Sequence, residues 1–304
     1  MSAKNVKNMA ASVHAKLLNE ARAKGRPFQE LLQFYGLERF LYRLAKSKYG
    51  DTFVLKGALL LHVWNAPITR PTRDIDLLGF ASNSLDAVRD VFKGICDTDV
   101  EPDGLQFPSE EVRAGRIKED ARYEGVRVTF AGFLSRSRIP VQVDIGFSDV
   151  ITPKPSFNAY PTLLQMSAPT LKMYPKETVV AEKFEAMVQL GEINSRMKDF
   201  FDLWLLARTF NFDGSLLSDA VRKTFAHRGT KIDLDPVGLS SEFVNNEDTK
   251  KKWAAFVKRI QVNDAPSSLS EATPMLRAFL VPIAKDIHSG TKSLKIWKAG
   301  GSWT

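Results

Sequence analysis

A single cysteine, Cys96, is all the thiol chemistry that this chain of 304 residues offers. No intramolecular disulfide framework can form, and no thiolate cluster can hold a metal. Histidine is nearly as scarce. His14, His62, His227 and His288 stand apart, without the paired spacing of a histidine metal site, and His62, which ends an apolar run, reads as a core histidine. Long hydrophobic runs are missing as well: Phe53–Leu55 and Ala58–Leu61 are far too short to cross a bilayer. Residues 1–15 carry lysines but not the apolar block of a secretory signal. No Gly-Lys-Ser/Thr phosphate loop occurs. Ser195 and Ser215 have neither an adjacent histidine nor a nucleophile elbow, so a serine hydrolase is a poor reading. A cytoplasmic protein with no membrane partner is expected.

What is present is positive charge. Lys and Arg number 43 against 35 Asp and Glu, a formal net charge of +8. Such a surplus attracts polyanions and speeds their encounter, which suits nucleotides or nucleic acid. Mildly basic cytosolic proteins are common, however, and charge alone does not choose. Hydrophobic residues at 44% are enough for a packed core and too many for a disordered chain.

Three stretches differ in pattern. Residues 1–50 read as a helical lead-in. Apolar positions Val6, Met9, Val13, Leu17, Leu18 and Ala21 follow helical spacing, Gly25 and Pro27 break it, and two further helices are expected over 28–34 and 37–48. Residues 51–160 read as an α/β core, with a short strand at 53–55, a helix at 58–64, and a loop marked by Pro67 and Pro71. A strand follows at Asp74–Leu78, then a helix over 84–95 capped by Ser84 or Asn83, and strands at 126–130 and 141–145, the last with Pro140 at its start. After Pro153, Pro155 and Pro161, residues 161–304 read as mostly helical, over 176–190, 195–209, 214–226, 249–260 and 270–286. The tail from Ser289, with two tryptophans, reads as an extended arm. The fold class is therefore α/β (α+β): a mixed-sheet core with a helical lead-in and a helical C-terminal region.

Chemistry concentrates in the core. Asp74 and Asp76 are two apart on a strand, so both carboxylates share one face. Magnesium takes hard oxygen ligands and is held by one or two carboxylates together with substrate phosphates. Lys56-Gly57-Ala58 is a small turn just upstream, where backbone could approach a triphosphate closely. Asp144, flanked by Val143 and Ile145, is costly in a central strand without a partner, and as a third carboxylate it would complete a two-metal site. An Asp-x-Asp by itself is more often a solvated strand end. Basic clusters at Lys250–Lys252, and Arg113 with Arg116, read as solvated faces more readily than as RNA contacts. Lys198 and Asp202 lie at i, i+4, the spacing of a surface ion pair.

Two segments carry a resemblance. Phe53-Val-Leu-Lys-Gly-Ala-Leu-Leu-Leu followed by Arg70-Pro-Thr-Arg-Asp-Ile-Asp-Leu-Leu resembles the first motif of the AbiEii/AbiGii family of nucleotidyltransferase toxins, within the DNA polymerase β-like superfamily. Ala181-Glu-Lys-Phe-Glu-Ala and Asn194-Ser-Arg-Met-Lys-Asp-Phe-Phe-Asp-Leu-Trp-Leu-Leu-Ala resemble its helical motifs, and Leu37-Glu-Arg-Phe-Leu-Tyr-Arg-Leu its lead-in. The similarity runs from about Leu37 to Arg208 in the family's motif order. Two departures stand out: Ala58 replaces the second small residue of a Gly-Gly or Gly-Ser pair, and fifteen residues separate Ala58 from Asp74.

The resemblance implies a nucleotidyltransferase core, NTP as substrate and magnesium as cofactor. It also implies growth inhibition countered by an antitoxin, as in abortive infection. By position it makes Asp74 and Asp76 metal ligands, places Thr72 where a Ser or Thr precedes them, and assigns Lys183, Asp199 and Asp202 to the nucleotide or its support. The expected reaction transfers a nucleoside monophosphate to an RNA acceptor, with the transfer RNA 3′ end favoured. A small-molecule or protein acceptor is one alternative, and a small-molecule site would bring a more acidic acceptor cleft. A non-catalytic nucleotide- or RNA-binding module is the other.

Overall fold

The computed structural model describes residues 3–66, 72–80, 82–117, 125–262 and 264–304. Arg70, Pro67 and Pro71 therefore lie outside the described residues. The chain divides into two units. The first comprises residues 1–64, 72–148 and 156–173; the second comprises 65–71, 149–155 and 174–304.

In the first unit the chain opens with helices α1 (Ala3–Lys24) and α2 (Phe28–Lys46), then β1 (Phe53–Lys56), a short α3 (Leu60–Val63) and β2 (Asp74–Gly79). Helix α4 (Leu85–Cys96) follows, capped by the Ser84 hydroxyl, which accepts from the Ala87 N–H. Strands β3 (Leu105–Gln106), β4 (Arg113–Ile117), β5 (Gly125–Leu134), β6 (Ser137–Phe147), β7 (Ser156–Ala159) and β8 (Thr170–Met173) complete the unit. The strands form one eight-stranded mixed sheet in the order β3-β5-β6-β2-β1-β8-β7, with β4 also on β5. Strand β2 runs parallel to β6 and antiparallel to β1.

Alternation decides which face does what. Ile75, Leu77, Val126, Val128, Val141, Val143 and Ile145 are buried, whereas Asp74, Asp76, Arg127, Gln142 and Asp144 are half-buried on the other face. Phe40 of α2 packs 4.7 Å from Phe130 of β5 and 5.8 Å from Phe92 of α4, ring centre to ring centre. Each such buried ring contributes roughly 1.5–3 kcal/mol. The apolar face thus anchors the sheet and leaves the opposite face for polar groups.

Helix α2 corrects the sequence-based expectation of two helices broken near Gly36. It is continuous, and Gly36 serves close packing: a Cβ there would lie 2.7 Å from Ile139 Cγ2 on β6. Helix α2 is buried so deeply that it carries charge inward. Arg43 grips Asp103 through both terminal guanidinium nitrogens, at 2.6 and 3.1 Å, and Glu38 accepts from the Leu163 N–H at 2.7 Å. Burial pushes Glu38 up to about 7, although that N–H and Arg39 oppose the rise. Pro140 also differs from expectation, lying inside β6 and not at its start. Pairing of β6 with β2 begins only at Gln142, so Pro140 sits where the strand is an edge and its missing N–H does little harm.

The second unit is helical: α5 (Lys176–Leu190), α6 (Met197–Thr209), α7 (Gly214–Arg228), α8 (Ser241–Asn245), α9 (Glu247–Ile260) and α10 (Leu269–His288). Strand β9 (Phe212–Asp213) pairs with β10 (Ile296–Trp297), so the tail docks as a strand. Trp297 is fully buried, donates to the Ala207 carbonyl at 2.7 Å and packs on Phe279. Among the described residues no helix is long and apolar enough to cross a membrane.

Candidate active site

Strand register brings the acids of the first unit into rows. Lys56 of β1 stands opposite Asp76 of β2, Asp76 beside Asp144 of β6, and Asp144 opposite Arg127 of β5. Directly paired residues place their Cβ atoms about 4.5–5.5 Å apart on one face, so the four form a row across four strands. A second row lies two residues along, with Asp74 beside Gln142, Gln142 opposite Thr129, and Thr129 opposite Arg113 of β4. In the first row two adjacent carboxylates lie between two cations, and in the second Asp74 is separated from Arg113 by two neutral residues.

Gly57 explains why the turn after β1 is glycine. Its φ is +77°, and a Cβ built there would fall 1.9 Å from Asp76 Oδ2. The Asp76 carboxylate therefore lies directly against the Gly57 backbone, and any larger residue would displace it. The neighbouring Ala58 is buried. Thr72 is half-buried, its hydroxyl 3.4 Å from the Asp74 carbonyl oxygen.

Asp144 has its partner. Arg127 donates to both carboxylate oxygens, each at 2.8 Å, in the forked geometry that makes such pairs strong. The Gln142 side-chain amide lies against the same carboxylate and guanidinium. Among the described residues no three His, Cys, Asp or Glu side chains gather as a metal-binding group. Asp74 and Asp76, on one face with the Gly57 cradle beside them, fit a magnesium ion that keeps several waters. A second ion would need Asp144, and hence release of Arg127.

The helical residues meet in the second unit. Lys183 of α5 reaches Asp199 at 2.6 Å and Asp202 at 2.9 Å, both on α6 and one turn apart. Arg196 closes on the other Asp199 oxygen at 2.7 Å. Both aspartates are buried. Burial by itself would raise Asp199, but Lys183 and Arg196 outweigh it and hold the carboxyl below its usual range. Asp202 thus bonds inward to Lys183, while Lys198, its expected surface partner, is exposed. A further ion cluster joins the half-buried Arg228 of α7 to Asp149 at 2.9 Å and to the buried Glu185 of α5 at 2.8 Å.

Arg127 and Arg196 are functional neighbours that the sequence pattern does not single out. The first is a charge between Val126 and Val128 in an alternating strand, the same signal that drew attention to Asp144. The second stands within the Ser-Arg-Met-Lys-Asp motif and was given no role. The short strands β3, β4 and β7 to β10 likewise have no pattern in the sequence that marks them. Strand β4, Arg-Ala-Gly-Arg-Ile, is poor in β-formers and exists because β5 pairs with it.

The Asp-x-Asp strand, its glycine turn and the mixed sheet define the class of a nucleotidyltransferase. A sequence profile described as nucleotidyl transferase AbiEii toxin, type IV toxin–antitoxin system, matches residues 39–279. The chain belongs to this AbiEii nucleotidyltransferase toxin family. No curated protein sequence matches it. Two Helicobacter pylori crystal structures are matched. One, of a "putative nucleotidyltransferase", is 15% identical over 96% of this chain and 100% of that one, with a TM-score of 0.42. The other, of JHP933, is 14% identical over 83% and 90%, with a TM-score of 0.41.

Proposed function

We propose that the protein transfers a nucleoside monophosphate from an NTP to the 3′ hydroxyl of an RNA, transfer RNA being the favoured acceptor, in a magnesium-dependent reaction. The observation that carries this reading is the Asp76 carboxylate seated on the Gly57 backbone, with Asp74 on the same face. Asp74 and Asp76 hold the ion. Magnesium, when bound, supplies the positive charge that offsets the triphosphate and the charge developing in transfer. Lys56, opposite Asp76, brings a cation to the phosphates, and the backbone of the Gly57 turn approaches them. Thr72 supports the start of β2. Lys183 takes the nucleotide, its direction set by Asp199 and Asp202.

In the reaction the acceptor oxygen forms a bond to the α-phosphorus as the bond from that phosphorus to the bridging oxygen breaks. Pyrophosphate leaves with the electron pair, and the hydroxyl proton passes to solvent. An acceptor end so extended cannot be used normally, which accounts for toxicity, and a cognate antitoxin opposes it. The antitoxin need not form a tight complex with this chain.

The test incubates the protein with magnesium, each α-phosphate-labelled NTP in turn and total bacterial RNA. Label in the transfer-RNA band with the intact protein, reduced by at least about 10³-fold in Asp74→Ala, is the expected result; a 10³-fold loss corresponds to about 4 kcal/mol of transition-state stabilisation. A fully active, folded Asp74→Ala would remove the metal assignment. Bound NTP without label in any RNA would move the acceptor to a small molecule or protein, or leave a non-catalytic module.

A further inference from the structure

Asp74 borders a cavity of about 400 Å³ in the first unit, lined also by Arg73, Glu111, Arg113, Thr129, Arg138 and Gln142. Its floor is the second row described above, in which Asp74, Gln142, Thr129 and Arg113 are neighbours on β2, β6, β5 and β4. Three strand spacings of about 4.8 Å carry this floor roughly 14 Å from the carboxylate to the arginine. Arg73, Arg113 and Arg138 are exposed. Arg113 donates to the carbonyl oxygens of Glu110 at 2.5 Å and Val112 at 3.1 Å, neutral acceptors that leave its charge in place. Arg138 comes no closer than 3.9 Å to Glu111, its contact across the cleft rim. Among the described residues no carboxylate forms a salt bridge with Arg73 or Arg113.

The side of the sheet on which this cleft opens is informative. In an in-line displacement the attacking oxygen and the leaving pyrophosphate lie on opposite sides of the transferred phosphorus. Lys56 and Gly57, assigned above to the triphosphate, stand on the β1 side of β2. The cleft stands on the β6 side. With three arginines against the carboxylates of Asp74 and Glu111, the cleft also differs from the acid-rich pocket that a polycationic small acceptor would need.

We propose that this cleft is the acceptor-strand site, taking the sugar–phosphate backbone of an RNA 3′ end on Arg113 and Arg138, with Arg73 at its mouth and the terminal hydroxyl presented at Asp74. Thr129 and Gln142 supply neutral hydrogen-bonding groups for the ribose. The proposal rests on the transferase reading for its orientation, but its arginine contacts can be measured without turnover.

The experiment measures binding of a fluorescein-labelled single-stranded oligoribonucleotide with a free 3′ hydroxyl, by anisotropy at several salt concentrations and without NTP. Arg113→Gln/Arg138→Gln is compared with the wild type and with Arg116→Gln, on the same strand but the opposite face. Thermal melts confirm folding, and Arg73→Gln gives a second, independent variant. The double variant is expected to bind about tenfold more weakly, with a salt slope reduced by about 1–2. Arg116→Gln should match the wild type, and NTP affinity by calorimetry should stay unchanged throughout. Unaltered RNA affinity and slope in the double variant would overturn the proposal, as would an equal loss in Arg116→Gln. If no RNA is ever labelled yet the double variant still loses RNA affinity, the cleft stands and the reaction assigned above falls. If transfer proceeds to an uncharged small acceptor and is indifferent to the double variant, the transferase stands and the cleft assignment falls.

Discussion

The strand-built acids and the helix-built acids are treated in opposite ways. Asp74 and Asp76 reach their places through backbone register, stay half-buried and share one face of β2. Asp199 and Asp202 are 3% and 2% exposed and are salt-bridged to Lys183, with Arg196 on Asp199 as well. Counting those four side chains, the helical cluster is neutral, with two cations against two carboxylates. A half-exposed carboxylate pair on a strand suits capture of a cation from solution. A buried and balanced cluster suits holding one ammonium in a fixed direction. Register, being set by the backbone, tolerates change in a side chain but not in the turn that seats it. A buried ion cluster is the reverse, because removing one member strands the others.

The largest stability effect should therefore fall in the helices. Lys183→Met is expected to destabilise the protein by about 3–5 kcal/mol, and Lys183→Met/Asp199→Leu by clearly less, since the double change leaves fewer buried charges unpaired. Chemical denaturation of both variants measures the difference, and equal losses would show that the cluster does not act as a unit. The Asp199 contribution has a pH sign. Its folded carboxyl is held low, so the stabilisation is present above the unfolded value near 3.9 and fades as pH falls through the folded one.

In the sheet, the backbone is the weak point. Gly57→Ala forces a side chain at positive φ onto the Asp76 carboxylate, at a stability cost of about 1–3 kcal/mol, and nucleotide transfer should fall about 100-fold or more. Transfer assays alongside melts would separate the two losses, and a fully active Gly57→Ala would show the cradle to be unimportant. A smaller effect is expected at Arg127. Arg127→Gln releases Asp144, and magnesium or manganese affinity, read by calorimetry, should rise by about tenfold or less; a fall would mean that Arg127 orders the acids and does not compete for them.

The most gradual effect, spread over a pH window, concerns Glu38, in neither cluster. Its folded value of about 7 lies above the unfolded value of 4.5, so the folded state holds more protons between them. Stability from this group thus decreases as pH rises through that window, by at most about 1.4 kcal/mol per unit. Melting temperatures from pH 4.5 to 7 should decline less steeply in Glu38→Gln; an identical slope would locate the pH dependence elsewhere.

Much of this was legible beforehand because it is local. Alternation in Asp74–Leu78 and Val141–Ile145 marked the strands and their polar faces, Ser84 marked a helix start, and the spacing of buried positions marked α5 to α7. Gly36 misled for a physical reason: a glycine that admits a neighbouring strand looks, in one dimension, like a glycine that ends a helix. Gly57 was legible as a turn, but that its Cα abuts Asp76 was not, because the contact spans the β1–β2 pairing.

The sequence by itself determined the acids on β2 and the helical C-terminal half, since each depends on residue type and short spacing, and its resemblance to a known family supplied the class of enzyme and its mixed-sheet core. Only the tertiary structure decided which groups became partners. It gave Asp144 to Arg127, turned Asp202 inward to Lys183, and set Arg113 and Arg116 on opposite faces of β4, with Arg113 in the row that begins at Asp74. Those outcomes follow from strand register and helix packing, which join residues far apart in the chain, and no local pattern encodes which distant charge will arrive.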